Sequence, residues 1–206
     1  EECYINTGQS CDAPTRLLVE RSCYKEVLKI AKRVGEAVKV GDPAQEGNHL
    51  GPLVSDIQFG RVQAMIEKGI KEGAKLLVGG LGKPDGFDEG YWVRPTIFAD
   101  ANNKMAIAQE EIFGPVLTII PFDSEEEAIE IANDTPYGLA AYVQSGDLNR
   151  AERVAQKLRV GMVHINGGGF NYGSPFGGYK QSGNGREGGI IGIEDFQEVK
   201  TLHYPE

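Results

Sequence analysis

Apolar residues recur along the chain with two spacings, and each spacing predicts one kind of secondary structure. Short apolar or alternating runs predict strands over residues 15–20, 75–78, 92–98, 116–122, 138–144 and 160–166. Apolar residues three and four positions apart predict helices over residues 22–40, 56–73, 125–133 and 148–158. Because strands alternate with helices, we predict an α/β fold with a parallel-rich sheet flanked by helices on both faces.

Polar residues mark where three of these helices begin. Ser55, Ser124 and Asp147 are residue types that cap helix N-termini, and Ser124 is followed three positions later by a glutamate, as in a capping box. No repeat or low-complexity linker interrupts the chain. We therefore predict one domain over residues 1–196, followed by a tail over residues 197–206.

The composition is that of an ordinary globular protein and narrows the range of partners. Of 206 residues, 40% are hydrophobic and 25% are charged, and the formal net charge is -9. The sequence has no run of lysines and arginines that could follow a phosphate backbone. We therefore expect neither nucleic acid nor an anionic membrane as a partner. The apolar runs are also too short to span a bilayer.

Cysteine and histidine are sparse. The cysteines stand at positions 3, 11 and 23, and the histidines at 49, 164 and 203, without the close pairs that zinc ligands form. We therefore expect no metal site. A chain this long with an odd number of cysteines has no disulfide framework, which favours a reducing compartment and predicts a cytoplasmic location.

Three motifs carry candidate chemistry. Cys11 ends the run Asn6-Thr7-Gly8-Gln9-Ser10-Cys11, and Glu111 lies in Glu110-Glu111-Ile112-Phe113-Gly114-Pro115. A third run reads Ser174-Pro175-Phe176-Gly177-Gly178-Tyr179-Lys180-Gln181-Ser182-Gly183. In this order the three runs resemble the aldehyde dehydrogenase family, and the resemblance covers essentially the whole chain.

The resemblance implies a reaction in which Cys11 is the nucleophile. A cysteine reacts as its thiolate, which would add to an aldehyde and let hydride pass to NAD or NADP, with NAD favoured. The resulting thioester would then be hydrolysed or passed to a thiol acceptor. The implied product is a carboxylic acid or an acyl thioester, and the implied partner is a small-molecule aldehyde.

The resemblance also assigns binding roles. Glu111 would accept hydrogen bonds from the nicotinamide ribose, Phe113 would pack against the nicotinamide, and Gln58 and Arg61 would reach the same ribose. Phe170 and Phe176 would line the aldehyde tunnel, with Asn166 at its mouth. Simpler interpretations stay open for several residues. Arg61 is then a solvated helix charge, either Phe170 or Phe176 fills the core, His164 is a satisfied core histidine, and Asn6 and Gln9 are turn residues.

In the family, a dinucleotide-binding domain, a catalytic glutamate and an oxyanion-binding asparagine precede the thiol motif. No Gly-x-Gly-x-x-Gly run that opens a helix is present in this chain. We therefore expect the chain to be the catalytic part of a longer polypeptide and inactive by itself. The alternating segment from Glu198 to Tyr204 resembles the family's oligomerisation strand, which predicts a homo-oligomer.

Two alternatives belong to other functional classes. A cysteine hydrolase or acyltransferase would use Cys11 without a redox cofactor, and it would need a histidine beside the thiol. A truncated chain could instead serve as a non-catalytic oligomerisation module.

Overall fold

The computed structural model describes residues 2–206, and the chain divides into two compact units, Glu1–Thr135 and Pro136–Glu206. The first unit contains the elements β1 (Arg16–Glu20), α1 (Tyr24–Ala37), α2 (Asp56–Lys71), β2 (Lys75–Val78), β3 (Thr96–Ala99), α3 (Ala106–Gln109), β4 (Val116–Phe122) and α4 (Glu125–Asn133). The second contains β5 (Ala140–Val143), α5 (Leu148–Lys157), β6 (Met162–Ile165) and α6 (Gly189–Glu194). Short 3-10 turns lie at Glu2–Gly8 and Lys180–Ser182.

The first unit is built on a four-stranded sheet in the order β1-β4-β3-β2. Strand β4 runs parallel to β1 and β3, whereas β2 is antiparallel to β3. A loop without a helix joins β2 to β3, which is the kind of connection that antiparallel neighbours allow. In the second unit, β5 and β6 form a separate parallel pair on either side of α5 in the chain. The predicted parallel-rich α/β fold is confirmed.

Two hydrophobic cores cover opposite faces of the four-stranded sheet. Ile97 and Ile119 pack in one core with side chains of α1, and their neighbours Phe98 and Ile120 pack in the other with side chains of α2. This division follows from strand geometry, since successive side chains point to opposite faces. The expected helices on both faces are present.

The helix boundaries follow their caps. Each of Ser55, Ser124 and Asp147 accepts a hydrogen bond from the backbone N–H three residues on, which confirms the three predicted N-caps. Helix α1 is shorter than the predicted span because Val38 already has extended backbone, with φ -67° and ψ 120°. Helices α3 and α6, of four and six residues, were not predicted because they are too short to show a helical period.

The tail has no regular secondary structure over residues 197–206. The side chains of Val199, Leu202 and Tyr204 are exposed. A strand needs a partner for its hydrogen bonds, and residues 2–206 supply none to the segment from Glu198 to Tyr204. Its role in assembly stays a prediction. Across residues 2–206, no helix combines the length and apolar character needed to cross a membrane.

Candidate active site

Cys11 lies on an exposed turn that enters β1. Before it, three successive residues, Asn6, Thr7 and Gly8, have left-handed backbone with φ of 52°, 59° and 73°. This conformation is costly for residues with a β-carbon, above all for a β-branched one such as threonine. The surrounding contacts must therefore hold the turn in place.

Local hydrogen bonds supply part of that support. The Asn6 side-chain amide donates to the Gln9 carbonyl at 2.9 Å, and the Gln9 amide donates to the Asn6 carbonyl at 3.1 Å. The interpretation of these two amides as turn residues that satisfy local backbone groups is confirmed. In this chain Asn6 and Gln9 hold the shape of the loop that presents Cys11.

Two further hydrogen bonds tie the turn to the segment that precedes α2. The Thr7 hydroxyl donates to the Gly51 carbonyl at 3.1 Å. The Val54 backbone N–H donates to the Gln9 side-chain oxygen at 2.9 Å. The left-handed turn is thus held at two points by residues more than forty positions away in sequence.

The thiol turn also touches the glutamate motif directly. A β-carbon added to Gly8 would lie 2.1 Å from the Gly114 carbonyl oxygen and 2.9 Å from the Pro115 nitrogen. Only a glycine permits this approach. The two motifs that the sequence separates by about a hundred residues are therefore packed backbone to backbone.

An open cavity of about 590 Å³ lies beside the glutamate motif. The residues that line it are Gln58, Arg61, Ala64, Met65, Glu110, Glu111, Ile112 and Phe113. All four residues to which the sequence assigns a cofactor contact are in this set. Helix α2 supplies the glutamine and arginine, and the loop between α3 and β4 supplies the glutamate and phenylalanine.

The two adjacent glutamates of the motif have different surroundings. Glu110 forms an ion pair with Lys68, with 3.0 Å between the nitrogen and the carboxylate oxygen. The hydrogen bond from this pair raises the pKa of Lys68 above its ordinary value. Glu111 is exposed and lines the cavity without an ion pair among the described residues. Its carboxylate is therefore available to accept hydrogen bonds from a ligand.

Gln58 has a contact that sequence analysis missed. Its side-chain nitrogen donates to the carbonyls of Ile112 at 3.0 Å and of Phe113 at 2.9 Å. Phe113 has left-handed backbone with φ 54°, and it is half-buried. The amide protons of Gln58 thus hold the loop that carries the glutamate motif, while its oxygen stays available as an acceptor.

The residues predicted to bind substrate lie in the second unit. The Phe170 ring lies 6.2 Å from that of Phe176 and 5.1 Å from that of Tyr172. Phe170 is 50% exposed, so the interpretation of this ring as core filler is wrong. Tyr172 is a member of the aromatic cluster that sequence analysis missed, and the signal was an aromatic residue two positions after Phe170.

Two polar residues near this cluster bond to backbone. Asn166 donates to the Ser145 carbonyl and accepts from the Ser145 N–H, both at 2.9 Å. Its amide therefore joins the ends of β5 and β6, and its predicted place at the mouth of the aldehyde tunnel stays a prediction. His164 bonds the Gly168 carbonyl at 2.8 Å and stacks on Tyr142 with 4.8 Å between centroids. The interpretation as a satisfied core histidine is confirmed for its bonding but not for its place, because the side chain is half-buried and belongs to neither core.

The other two cysteines differ sharply in access. Cys3 is 4% exposed, and burial raises the pKa of its thiol to about 11. Cys23 is exposed, and its thiol donates to the Glu20 carbonyl at 3.3 Å. Because a cysteine reacts as its thiolate, a buried thiol of this kind is inert at neutral pH.

We expect brief treatment with iodoacetamide to modify Cys11 first, Cys23 more slowly and Cys3 least. Near pH 8 a thiol of pKa about 11 is ionised to only about one part in a thousand. Peptide mapping after timed alkylation measures the order. In denaturant all three thiols should react alike. Equal labelling of Cys11 and Cys23 in the folded protein would contradict an activated Cys11.

The sequence matches the aldehyde dehydrogenase family over residues 1–202. The chain therefore belongs to the aldehyde dehydrogenase family. Across residues 2–206, no group of three histidine, cysteine, aspartate or glutamate side chains is arranged to hold a metal ion.

Individual relatives agree with this assignment. A 3-succinoylsemialdehyde-pyridine dehydrogenase from Pseudomonas sp. is 54% identical over 198 residues, which are 96% of this chain and 42% of the relative. The structure of aldehyde dehydrogenase C from Pseudomonas syringae is that of a cysteine-to-alanine mutant complexed with NAD+ and octanal. It superposes with a TM-score of 0.94 at 50% identity, and the match covers 97% of this chain and 41% of that protein. The Mycobacterium tuberculosis aldehyde dehydrogenase complexed with NAD+ superposes with a TM-score of 0.93 at 49% identity. The match covers 97% of this chain and 41% of that protein. This chain spans about two fifths of the length of these relatives.

Proposed function

We propose that this chain carries the nucleophile and part of the cofactor site of an NAD-dependent enzyme that oxidises an aldehyde to a carboxylic acid. The observation that supports this most directly is the contact of Gly8 with Gly114. It brings the turn that presents Cys11 against the loop whose Glu111 and Phe113 line the cavity. A thiol and a hydride acceptor must be neighbours for this reaction.

The reaction begins at the sulfur of Cys11. Its thiolate forms a C–S bond to the aldehyde carbon, and the carbonyl π electrons move to the oxygen. Among residues 2–206 the Cys11 backbone N–H makes no hydrogen bond, so it is free to donate to this oxyanion. When the oxyanion re-forms its C=O bond, the carbon releases hydride and becomes a thioester. NAD+, when bound, supplies the acceptor for that hydride.

The thioester must then be cleaved to regenerate the thiol. Addition of water to its carbonyl breaks the C–S bond and releases the carboxylic acid. The sulfur leaves as the thiolate, the form in which Cys11 began the cycle. Atoms and charge therefore balance with one aldehyde, one water and one hydride acceptor consumed, and with one carboxylic acid and one proton released to solvent.

The residues around the cavity fit the nicotinamide end of the cofactor. Glu111 is an exposed carboxylate, which can accept hydrogen bonds from two adjacent ribose hydroxyls. Phe113 gives the same cavity an apolar wall, and Arg61 gives it a cation. We take NAD+ as the cofactor because the relatives from Pseudomonas syringae and Mycobacterium tuberculosis are complexed with it.

We propose an aldehyde with an apolar or aromatic part as substrate. Phe170 and Phe176 are the proposed contacts for that part, since both belong to an aromatic cluster and Phe170 is half exposed. The relatives point the same way, because one is complexed with octanal and another is named for a pyridine semialdehyde.

No observation favours a cofactor-independent hydrolase. A hydrolase of this kind needs a histidine beside the thiol. His49 is the histidine of the first unit, and its ring nitrogen is hydrogen-bonded to the Asp42 carbonyl.

Glu111→Gln tests the cofactor site in the complete natural polypeptide that contains this sequence. The amide keeps the shape but weakens the charge-assisted hydrogen bonds to the ribose. We expect NADH formation from octanal to fall about 10- to 100-fold, with a higher KM for NAD+. Steady-state absorbance at saturating and limiting NAD+ measures both effects.

Glu110→Gln is the matched control. It removes a neighbouring carboxylate whose exposed ion pair with Lys68 has little energetic value, so turnover should change by less than about threefold. Full turnover in Glu111→Gln, or an equal loss in both variants, would show that Glu111 does not hold the ribose.

A further inference from the structure

One segment, from Gly51 to Gln58, is hydrogen-bonded to both functional loops. At its start, the Gly51 carbonyl and the Val54 N–H bond to side chains of the thiol turn. At its end, Gln58 donates to the carbonyls of the glutamate motif. The direct contact of the two loops closes the ring, so neither loop can shift without disturbing the segment that links them.

Gln58 is rigidly placed for this task. It lies in the first turn of α2, where its own backbone N–H donates to the Ser55 side chain at 3.2 Å. Its side chain is half-buried, and its two donor contacts are both close to the ideal length for N–H···O bonds. A capped helix thus fixes where the two amide protons point.

The loop that Gln58 holds is strained and tightly packed. Phe113 has φ 54°, a conformation that a bulky L-residue adopts only when its surroundings impose it. The next residue, Gly114, is closed in on two sides. A β-carbon there would lie 2.6 Å from a Val62 methyl carbon, and the Gly114 carbonyl oxygen packs against Gly8. A change in the backbone conformation of Phe113 would therefore move Gly114 and, through its contact with Gly8, the turn that carries Cys11.

We propose that Gln58 is a positioning residue, whose two N–H donors set the separation between Cys11 and the bound nicotinamide. This inference rests on the proposed function. It differs from a ribose contact, for which only the free side-chain oxygen of Gln58 is available. The two roles use opposite hydrogen-bonding capacities of one side chain, so they can be separated by substitution.

The test compares Gln58→Glu with Gln58→Lys in the complete natural polypeptide. Glutamate keeps the acceptor oxygen and loses both donors, whereas lysine keeps donors and loses the acceptor. We expect Gln58→Glu to slow single-turnover NADH formation about 10- to 100-fold, because correct positioning of reacting atoms contributes much of the rate. Its dissociation constant for NAD+ should change by less than about threefold. Gln58→Lys should recover part of the rate.

Gln63→Glu provides a control on the same helix. The Gln63 side-chain oxygen accepts from the Gly82 N–H at 2.7 Å, a bond that glutamate retains, and this residue does not line the cavity. Its turnover should match the wild type. If Gln58→Glu fails to fold, as judged by thermal unfolding, Gln58→Met replaces it as an uncharged variant without donors, and the same loss of rate is expected.

The outcomes separate the two ideas. Normal hydride transfer in Gln58→Glu, or a loss confined to NAD+ affinity and greater in Gln58→Lys, would overturn the positioning role and leave the proposed function standing. A wild-type protein that forms no NADH from any of a panel of aliphatic and aromatic aldehydes would overturn both.

Discussion

Cys11→Ala is expected to abolish aldehyde oxidation in the complete natural polypeptide while leaving NAD+ binding measurable. In the proposed reaction the thiol forms the covalent adduct from whose carbon hydride leaves, and no other group replaces it. NADH formation from octanal should fall by at least about 10⁴-fold. The dissociation constant for NAD+ should change by less than about threefold, because the proposed cofactor contacts are residues of the cavity, which Cys11 does not line. Absorbance and calorimetry measure the two quantities.

Cys23→Ala is the matched control, because Cys23 is the other exposed cysteine. Its thiol donates a local hydrogen bond to the Glu20 carbonyl, and loss of this bond should leave turnover unchanged. Activity within tenfold of wild type in Cys11→Ala would remove the nucleophile from the proposal. Loss of NAD+ binding together with activity would indicate a structural role for the thiol turn.

Gly8→Ala is expected to have the largest effect on stability. The new β-carbon would meet the Gly114 carbonyl at 2.1 Å, and alanine would have to adopt φ 73°. Backbone strain and overpacking together should lower the free energy of unfolding by about 2 to 5 kcal/mol. Since the clash separates the two motifs, NADH formation should be lost even below the unfolding temperature. Urea denaturation and the NADH assay report the two effects.

Gly73→Ala separates strain from packing. Gly73 has φ 89°, and a β-carbon there would meet nothing within 4 Å. This variant should lose only about 1 kcal/mol and keep full activity. If Gly8→Ala and Gly73→Ala unfold at the same urea concentration, the distance between Gly8 and the Gly114 carbonyl is longer than the structure shows.

This packing joins the thiol turn to the loop of the glutamate motif, so we expect the two parts of the proposed site to depend on each other. The left-handed residues of the thiol turn are held locally by the side-chain amides of Asn6 and Gln9. Its other supports are the segment before α2 and the Gly114 carbonyl, and Gly114 directly follows Phe113, which lines the cavity that we propose for the cofactor. A substitution on either loop is therefore expected to affect the chemistry of both.

The sequence by itself determined most of the secondary structure and the location of the motifs that carry the proposed reacting groups. Strands β2 and β4 have the predicted bounds, and the caps at Ser55, Ser124 and Asp147 form as expected. These features depend on residues within a few positions of each other, so a periodic pattern or a single side chain is enough to specify them. The order of the thiol and glutamate motifs was sufficient to identify the family.

Only the tertiary structure decided how those pieces meet. The antiparallel pairing of β2 with β3 depends on the path of a long loop, and the bonding of Asn166 to Ser145 depends on the pairing of β5 with β6. The donor role of Gln58 depends on where a loop more than fifty residues away comes to rest. Such contacts are set by packing between distant segments, for which the residue types alone allow several partners. The closeness of Gly8 to Gly114 is of the same kind, because glycine permits many approaches and the fold selects one.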